Sequence, residues 1–134
     1  VSSPEKPQIA VAAGILTDSK GRVLIARRPE GTHQGGWWEF PGGKLQRGET
    51  PLQGLIRELR EELGIEVRAA RPLLAYRHEY PERVIDLHVW RVTEFVGEPA
   101  GVEGQLLRWV SIAELTTVGL LPGDQPIIAA LDGS

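Results

Sequence analysis

The chain has 134 residues, 41% of them apolar and 25% charged, with a formal net charge of −3 and no cysteine. These values describe a globular chain able to bury a core, and they exclude a disulfide framework and thiolate metal sites. The acidic balance argues against binding long nucleic acid, and no apolar run approaches the roughly 18 residues of a membrane span.

Residues 1–8, VSSPEKPQ, lack the hydrophobic run of a secretory signal. They read as a flexible lead-in to a single domain over 9–134, and a cytoplasmic protein is expected. Ile9 to Thr17 is aliphatic and ends in Asp18-Ser19-Lys20-Gly21, a turn signal. Val23 to Arg27 then reads as a returning strand, and Pro29 to Gly36 as loop. Thr50-Pro51 supplies an N-cap and an N1 proline, Gln53 completes a capping box, and Gly64 supplies the stop. A helix over Thr50–Leu63 follows, with Leu52, Leu55, Ile56, Leu59 and Leu63 forming one apolar stripe.

Beyond it, Val67–Arg68 and Leu73–Glu79 read as two strands. Val84–Phe95 reads as a long central strand, and Leu107–Val110 as another. Ser111-Ile112-Ala113-Glu114 is a second capping box and predicts a short helix. Asp124 predicts the N-cap of a last helix through Leu131. Strands and helices mix without strict βαβ alternation, which predicts an α+β fold.

The chemistry concentrates on the capped helix. Glu58, Glu61 and Glu62 fall within an arc of about 100° beside the apolar stripe. Three neighbouring acids repel one another, and a hard divalent cation would offset that repulsion. Alone, such a charged helix is more often a solvated face. The longer spacing decides otherwise. Gly43, Glu49, Arg57, Glu58, Leu59, Glu61, Glu62, Gly64 and Ile65 match, without departure, the signature that defines the Nudix superfamily. At roughly 6% usage per residue type, its seven fixed positions coincide by chance on the order of once in 10⁹ windows.

The resemblance extends to the MutT-like branch through Arg27-Arg28, the entry loop Trp38-Glu39-Phe40-Pro41-Gly42-Gly43-Lys44 and the Tyr80-Pro81-Glu82-Arg83 turn. It continues in Gly101-Val102-Glu103-Gly104-Gln105 and Leu121-Pro122-Gly123-Asp124-Gln125-Pro126. It implies the Nudix fold, an α/β/α sandwich with a mixed sheet. By position, it implies metal ligation by Glu58, Glu61, Glu62, Glu103 and the carbonyl of Gly42. The implied cation is Mg²⁺, with Mn²⁺ as the alternative. Glu58 and Glu103 are competing general bases, Arg57 orients the glutamates, and Glu49 assists the metal or its loop. Arg28, His33, Glu39, Phe40, Pro41, Gly42, Arg83 and Asp124 are the implied substrate contacts.

The implied reaction hydrolyses a nucleoside triphosphate, 8-oxo-dGTP, to its monophosphate and pyrophosphate. The implied partner is that triphosphate, with no long nucleic acid and no membrane, and the protein is expected as a monomer. One position departs from the branch. Asparagine, which both accepts and donates, is replaced by Asp124, which accepts only when ionised. Asp124 therefore reads as a protonated base contact, as a group facing a different base edge, or as the helix cap alone. The Leu87-His88-Val89-Trp90 strand and the Trp38–Lys44 loop also resemble enzymes acting on cytidine nucleotides, so the alternative is a cytidine-type or broad (d)NTP pyrophosphohydrolase. A non-catalytic nucleotide-sensing module is the rival from another class. Such a module can dispense with a metal-binding acid, whereas this chain keeps all four glutamates.

Overall fold

The structure is a computed structural model that describes residues 6–32 and 35–132. The elements in chain order are β1 (Gln8–Ile15), β2 (Val23–Arg27), β3 (Trp38–Glu39), β4 (Gly42–Lys44), α1 (Pro51–Leu63), β5 (Glu66–Glu79), β6 (Val84–Val96), β7 (Leu107–Val110) and α2 (Gln125–Asp132). Single 3₁₀ turns cover Ile112–Thr116 and Pro122–Asp124. Residues 1–5 of the expected lead-in lie outside the described residues, and Gln8 already pairs with Val84.

Strands and helices form an α+β fold, as expected. The mixed sheet is four-stranded, in the order β4-β1-β6-β5, with β1 parallel to β6 and the other pairs antiparallel. A second, antiparallel sheet has the order β3-β2-β7. The long strand β6 is central, flanked by β1 and β5.

Alternation along the strands builds two cores. Ala13, Ile15, Val23, Ile25, Leu87 and Val89 pack with Ile127 and Leu131 of α2. Ala12, Leu16, Leu24, Val67 and Val92 pack on the opposite side with Leu55, Leu59 and Leu63 of α1. Both sides of β1 are thereby covered, which is why it reads as a continuous aliphatic run.

The caps of α1 form as the sequence predicts. The Thr50 hydroxyl accepts from the Gln53 amide at 3.1 Å, and the Gln53 side chain accepts from the Thr50 amide at 2.9 Å. Gly64 ends the helix in the left-handed region at φ 71°. The second capping box also forms, but it opens a 3₁₀ turn of five residues.

Three expectations need correction. The stretch expected as two strands is one 14-residue strand, β5. Arg71-Pro72 reads as a breaker, yet β5 is an edge strand, and a register shift between Pro72 and Leu74 absorbs the proline. The entry loop holds two short strands, because its residues pair with Arg27 and Ala26 on one side of Pro41 and with β1 on the other. Asp124 does not cap α2. Pro122 starts the helical turn two residues earlier, and the Asp124 carboxylate is turned inward.

Packing against Leu59, which has no exposed surface, anchors the acid-bearing helix to the sheet. Leu59→Ala is expected to destabilise the protein by about 2–5 kcal/mol in urea unfolding, the scale of a large-to-small core change.

Candidate active site

The segment Glu39 to Gly42 connects β3 to β4, and its polar groups point in several directions. The Phe40 amide donates to Oδ2 of Asp124 at 3.0 Å. The Pro41 carbonyl accepts from the Gly14 amide at 2.9 Å. The Gly42 amide donates to Oε2 of Glu62 at 3.2 Å. A Cβ at Gly42 would lie 2.0 Å from the Ala12 carbonyl oxygen, so only glycine permits this approach.

Trp38 brings the late chain alongside. Its amide donates to the Gly119 carbonyl at 3.0 Å, and its carbonyl accepts from the Leu121 amide at 2.8 Å. Those bonds carry Asp124 beneath Phe40.

Arg57 organises the acids of α1. Its Nε and Nη2 hold Glu49 at 2.6 and 3.0 Å in a two-pronged contact. Its Nη1 donates to Glu58 at 2.9 Å and to Glu61 at 3.1 Å, and Nη2 also reaches the Lys44 carbonyl at 3.0 Å. Glu49 additionally accepts from the Gln46 amide at 2.7 Å, so it fixes the approach to the helix.

Glu103 sits in an exposed loop fastened to the far end of α1. The Val102 amide donates to the Glu62 carbonyl at 3.2 Å. The Gln105 side chain donates to that same carbonyl at 2.9 Å and accepts from the Glu103 amide at 3.0 Å. One side-chain amide thus ties the distal glutamate to the helix. Gln105 lies in the Gly101–Gln105 segment, but the pattern of acids alone does not reveal its bridging role.

Electrostatics mark the same residues. Burial pushes the Glu62 carboxyl up to about 8, and the charges of Glu39, Glu58 and Glu103 add to the effect, against the Gly42 hydrogen bond. Glu58 is also raised, first by burial and then by Glu61 and Glu103, with Arg57 opposing. Burial raises Glu39, opposed by the Arg28 guanidinium 3.1 Å away. Among the described residues, Glu62 and Asp124 are the charged side chains that are buried.

The fit to a cation can be judged from these contacts. In this arrangement Glu58 leans on Arg57 and Glu62 on Gly42. Among the described residues, no three acid or imidazole groups are grouped to hold a metal ion. The donor set nevertheless suits a hard cation: oxygen ligands, mutually repelling and partly desolvated. Gly43 supports this, because a Cβ there would lie 2.4 Å from Glu58 Oε2 and block the carboxylate.

A cleft beside this cluster reaches from Gly42 and Gly43 to Asp124, and the acids of α1 are not among its lining residues. It is lined by Arg28, Glu39, Phe40, Gly42, Arg83 and Asp124 of the expected substrate contacts. Its empty volume is ≈ 810 Å³ with the open mouth included. Pro41 is buried and does not line the cleft. His33 lies outside the described residues. The wall also contains Lys44, Tyr80, Ile9, Val11, Ile85 and Leu87, which sequence reasoning did not assign. The alternation of Ile9 with Val11 and of Ile85 with Leu87 was the available signal, since these pairs lie opposite each other on β1 and β6.

Burial pushes Asp124 up to about 7, with Glu39 adding to the shift and the Phe40 amide and Arg28 opposing it. The folded pKa exceeds the unfolded value of about 3.9, so the native state binds the proton more tightly. Stability should therefore fall as pH rises from about 4 to 7. Asp124→Asn keeps an acceptor for Phe40 and cannot ionise. Its melting temperature, measured without metal, should fall less than the wild type's between pH 5 and pH 8.5.

A family model described as the NUDIX domain matches residues 12–130. The chain is 38% identical over 124 residues to the 8-oxo-dGTP diphosphatase of Escherichia coli K12, covering 92% of this chain and 96% of that one. It is 41% identical over 122 residues to the CTP pyrophosphohydrolase of the same organism, covering 91% and 90%. A MutT structure from work on the Aliivibrio salmonicida and Vibrio cholerae proteins superposes with a TM-score of 0.81 at 35% identity, covering 94% of this chain and 98% of that one. With the acid-bearing helix, the glycine turn and the cleft in place, these likenesses show that the chain belongs to the Nudix hydrolase family.

Proposed function

We propose that this enzyme is a Mg²⁺-dependent nucleoside triphosphate pyrophosphohydrolase acting on 8-oxo-dGTP, which water cleaves to 8-oxo-dGMP and pyrophosphate. The observation that carries the reading is a cleft with buried Asp124 in one part of its wall and, in another, Gly42, whose amide holds Glu62, and Gly43, beside which Glu58 lies. A phosphate tail and a base need such separate places.

Glu58, Glu61, Glu62, Glu103 and the Gly42 carbonyl would hold the cation. When bound, Mg²⁺ supplies neutralisation of phosphate charge and a polarised water. Arg57 keeps Glu58 and Glu61 oriented. Arg28, Arg83 and Lys44 line the cleft as cations for the phosphate chain. Of Glu58 and Glu103, the less tightly coordinated is the stronger base and takes the proton of the attacking water.

At the base end, a protonated Asp124 offers an O–H and keeps an acceptor oxygen. The N7–H and O6 of 8-oxoguanine match that pair, and guanine, with a bare N7, does not. An upward-shifted carboxyl supports this assignment. The ionised form is acceptor-only and suits an exocyclic amine such as N4 of cytosine. The likeness to a CTP pyrophosphohydrolase favours that as the second reading.

Glu58→Gln should lower kcat by at least about 10²-fold, the scale of a lost metal or base role. Near wild-type turnover would remove Glu58 from the mechanism. A panel of 8-oxo-dGTP, dGTP, dATP and CTP, read by pyrophosphate release, should give 8-oxo-dGTP the highest kcat/KM, at least about 10²-fold above dGTP. Highest kcat/KM with CTP selects the second reading. Absence of pyrophosphate release from every triphosphate removes the enzymatic assignment.

A further inference from the structure

The chain's only two tyrosines meet at the backbone of one residue, Gly123. The Tyr76 hydroxyl donates to the Gly123 carbonyl. The Tyr80 hydroxyl accepts from the Gly123 amide at 2.9 Å. Gly123 is buried and immediately precedes Asp124, whose carboxylate is held on the Phe40 amide at 3.0 Å. A Cβ at Gly123 would lie 2.4 Å from the Tyr80 hydroxyl, so glycine is what admits that hydroxyl to the backbone.

Both tyrosines stand on well-braced supports. Tyr76 lies in β5 opposite Leu87 of β6, and Leu87 also lines the cleft. Tyr80 heads the turn closed by its amide on the Arg83 carbonyl at 2.8 Å. Its ring packs edge-on against His78, with centroids 4.5 Å apart at 67°. Tyr80 is itself part of the cleft wall, as are Gly123 and Asp124.

We infer that Tyr76 and Tyr80 are specificity-determining positioning residues, their hydroxyls fixing the N–H and the C=O of Gly123, one on each flanking peptide, so that Asp124 meets the base at a fixed place. This rests on the reading of Asp124 as the base contact. A carboxyl that reads a base edge must sit within a few tenths of an ångström of its partner atoms. The side chain is fixed at one point by Phe40, and the backbone is fixed at two by the tyrosines. Without the hydroxyls, the 3₁₀ turn keeps its end near Leu121 but loses both bonds at Gly123. Neither hydroxyl contacts α1 or the Glu103 loop in the bonds described.

The test compares Tyr76→Phe, Tyr80→Phe, the double variant and Asp124→Ala with the wild type. For each, kcat and KM are measured separately for 8-oxo-dGTP, dGTP and CTP. Binding of 8-oxo-dGMP and dGMP is titrated in EDTA, and melting temperature is recorded. Both Phe variants keep the ring and its packing.

Each single Phe change should reduce the ratio of kcat/KM between the best and worst bases by about 5-fold, the worth of one hydrogen bond. The double variant should reduce it further, the loss lying in KM and in monophosphate affinity, with kcat on the best substrate within about 2-fold. A double variant with the wild-type ratio and wild-type monophosphate affinities overturns the clamp, whether or not it melts lower. If that occurs while Asp124→Ala abolishes discrimination, the clamp fails and the base contact stands. If Asp124→Ala discriminates as the wild type does, the base contact fails and the clamp falls with it.

Discussion

Two buried carboxylates hang on one short loop, and the geometry of the cleft depends on that arrangement. Glu62 is held by the Gly42 amide and Asp124 by the Phe40 amide, two residues apart. Burying a carboxylate is unfavourable unless it is paired or hydrogen-bonded. A single backbone N–H offsets only part of that cost, so both groups hold their protons well above the ordinary carboxylate range. The loop can offer these amides because Pro41 between them has no N–H and is anchored instead through its carbonyl on Gly14. The spacing between the Glu62 and Asp124 carboxylates is therefore set by backbone held to the sheet.

Around that loop, charge is arranged by very few groups. Arg57 touches Glu49, Glu58, Glu61 and the Lys44 carbonyl, joining the helix to β4 and to the loop before α1. Its planar fork suits several fixed acceptors at once, which a lysine ammonium would serve less well. Gln105 performs the corresponding task for the distal loop without charge. Burial and neighbouring acids disfavour the ionised forms of Glu58 and Glu62, and a cation there would offset that cost.

The capped helix was legible because its signals are local. Thr50, Pro51, Gln53 and Gly64 each act within one turn, and the leucine stripe follows the helical period. β2 and β7 were equally legible from composition and bounding turns. β3, β4 and the continuity of β5 were not, because short or proline-bearing strands exist only by virtue of their partners. Most of the expected substrate contacts do line the cleft, though they were placed there by likeness to a family. The tyrosines and Gln105 act through bonds spanning 43 to 47 residues, which no local pattern displays. Asp124 shows the limit most plainly. Its residue type suits a cap, and only the three-dimensional path of the chain turns the carboxylate inward toward Phe40.

β1 serves two masters through simple alternation. Ile9, Val11 and Ala13 face the cleft, while Ala12 and Gly14 face the leucines of α1. A deletion or insertion of one residue there would exchange these sets, thrusting bulky aliphatics at the helix and small residues at the nucleotide. An added residue is accommodated at lower cost in an outlying bend such as Asp18–Gly21 than in the first strand. Tailoring of the cleft floor is restricted to swapping one side chain for another in place.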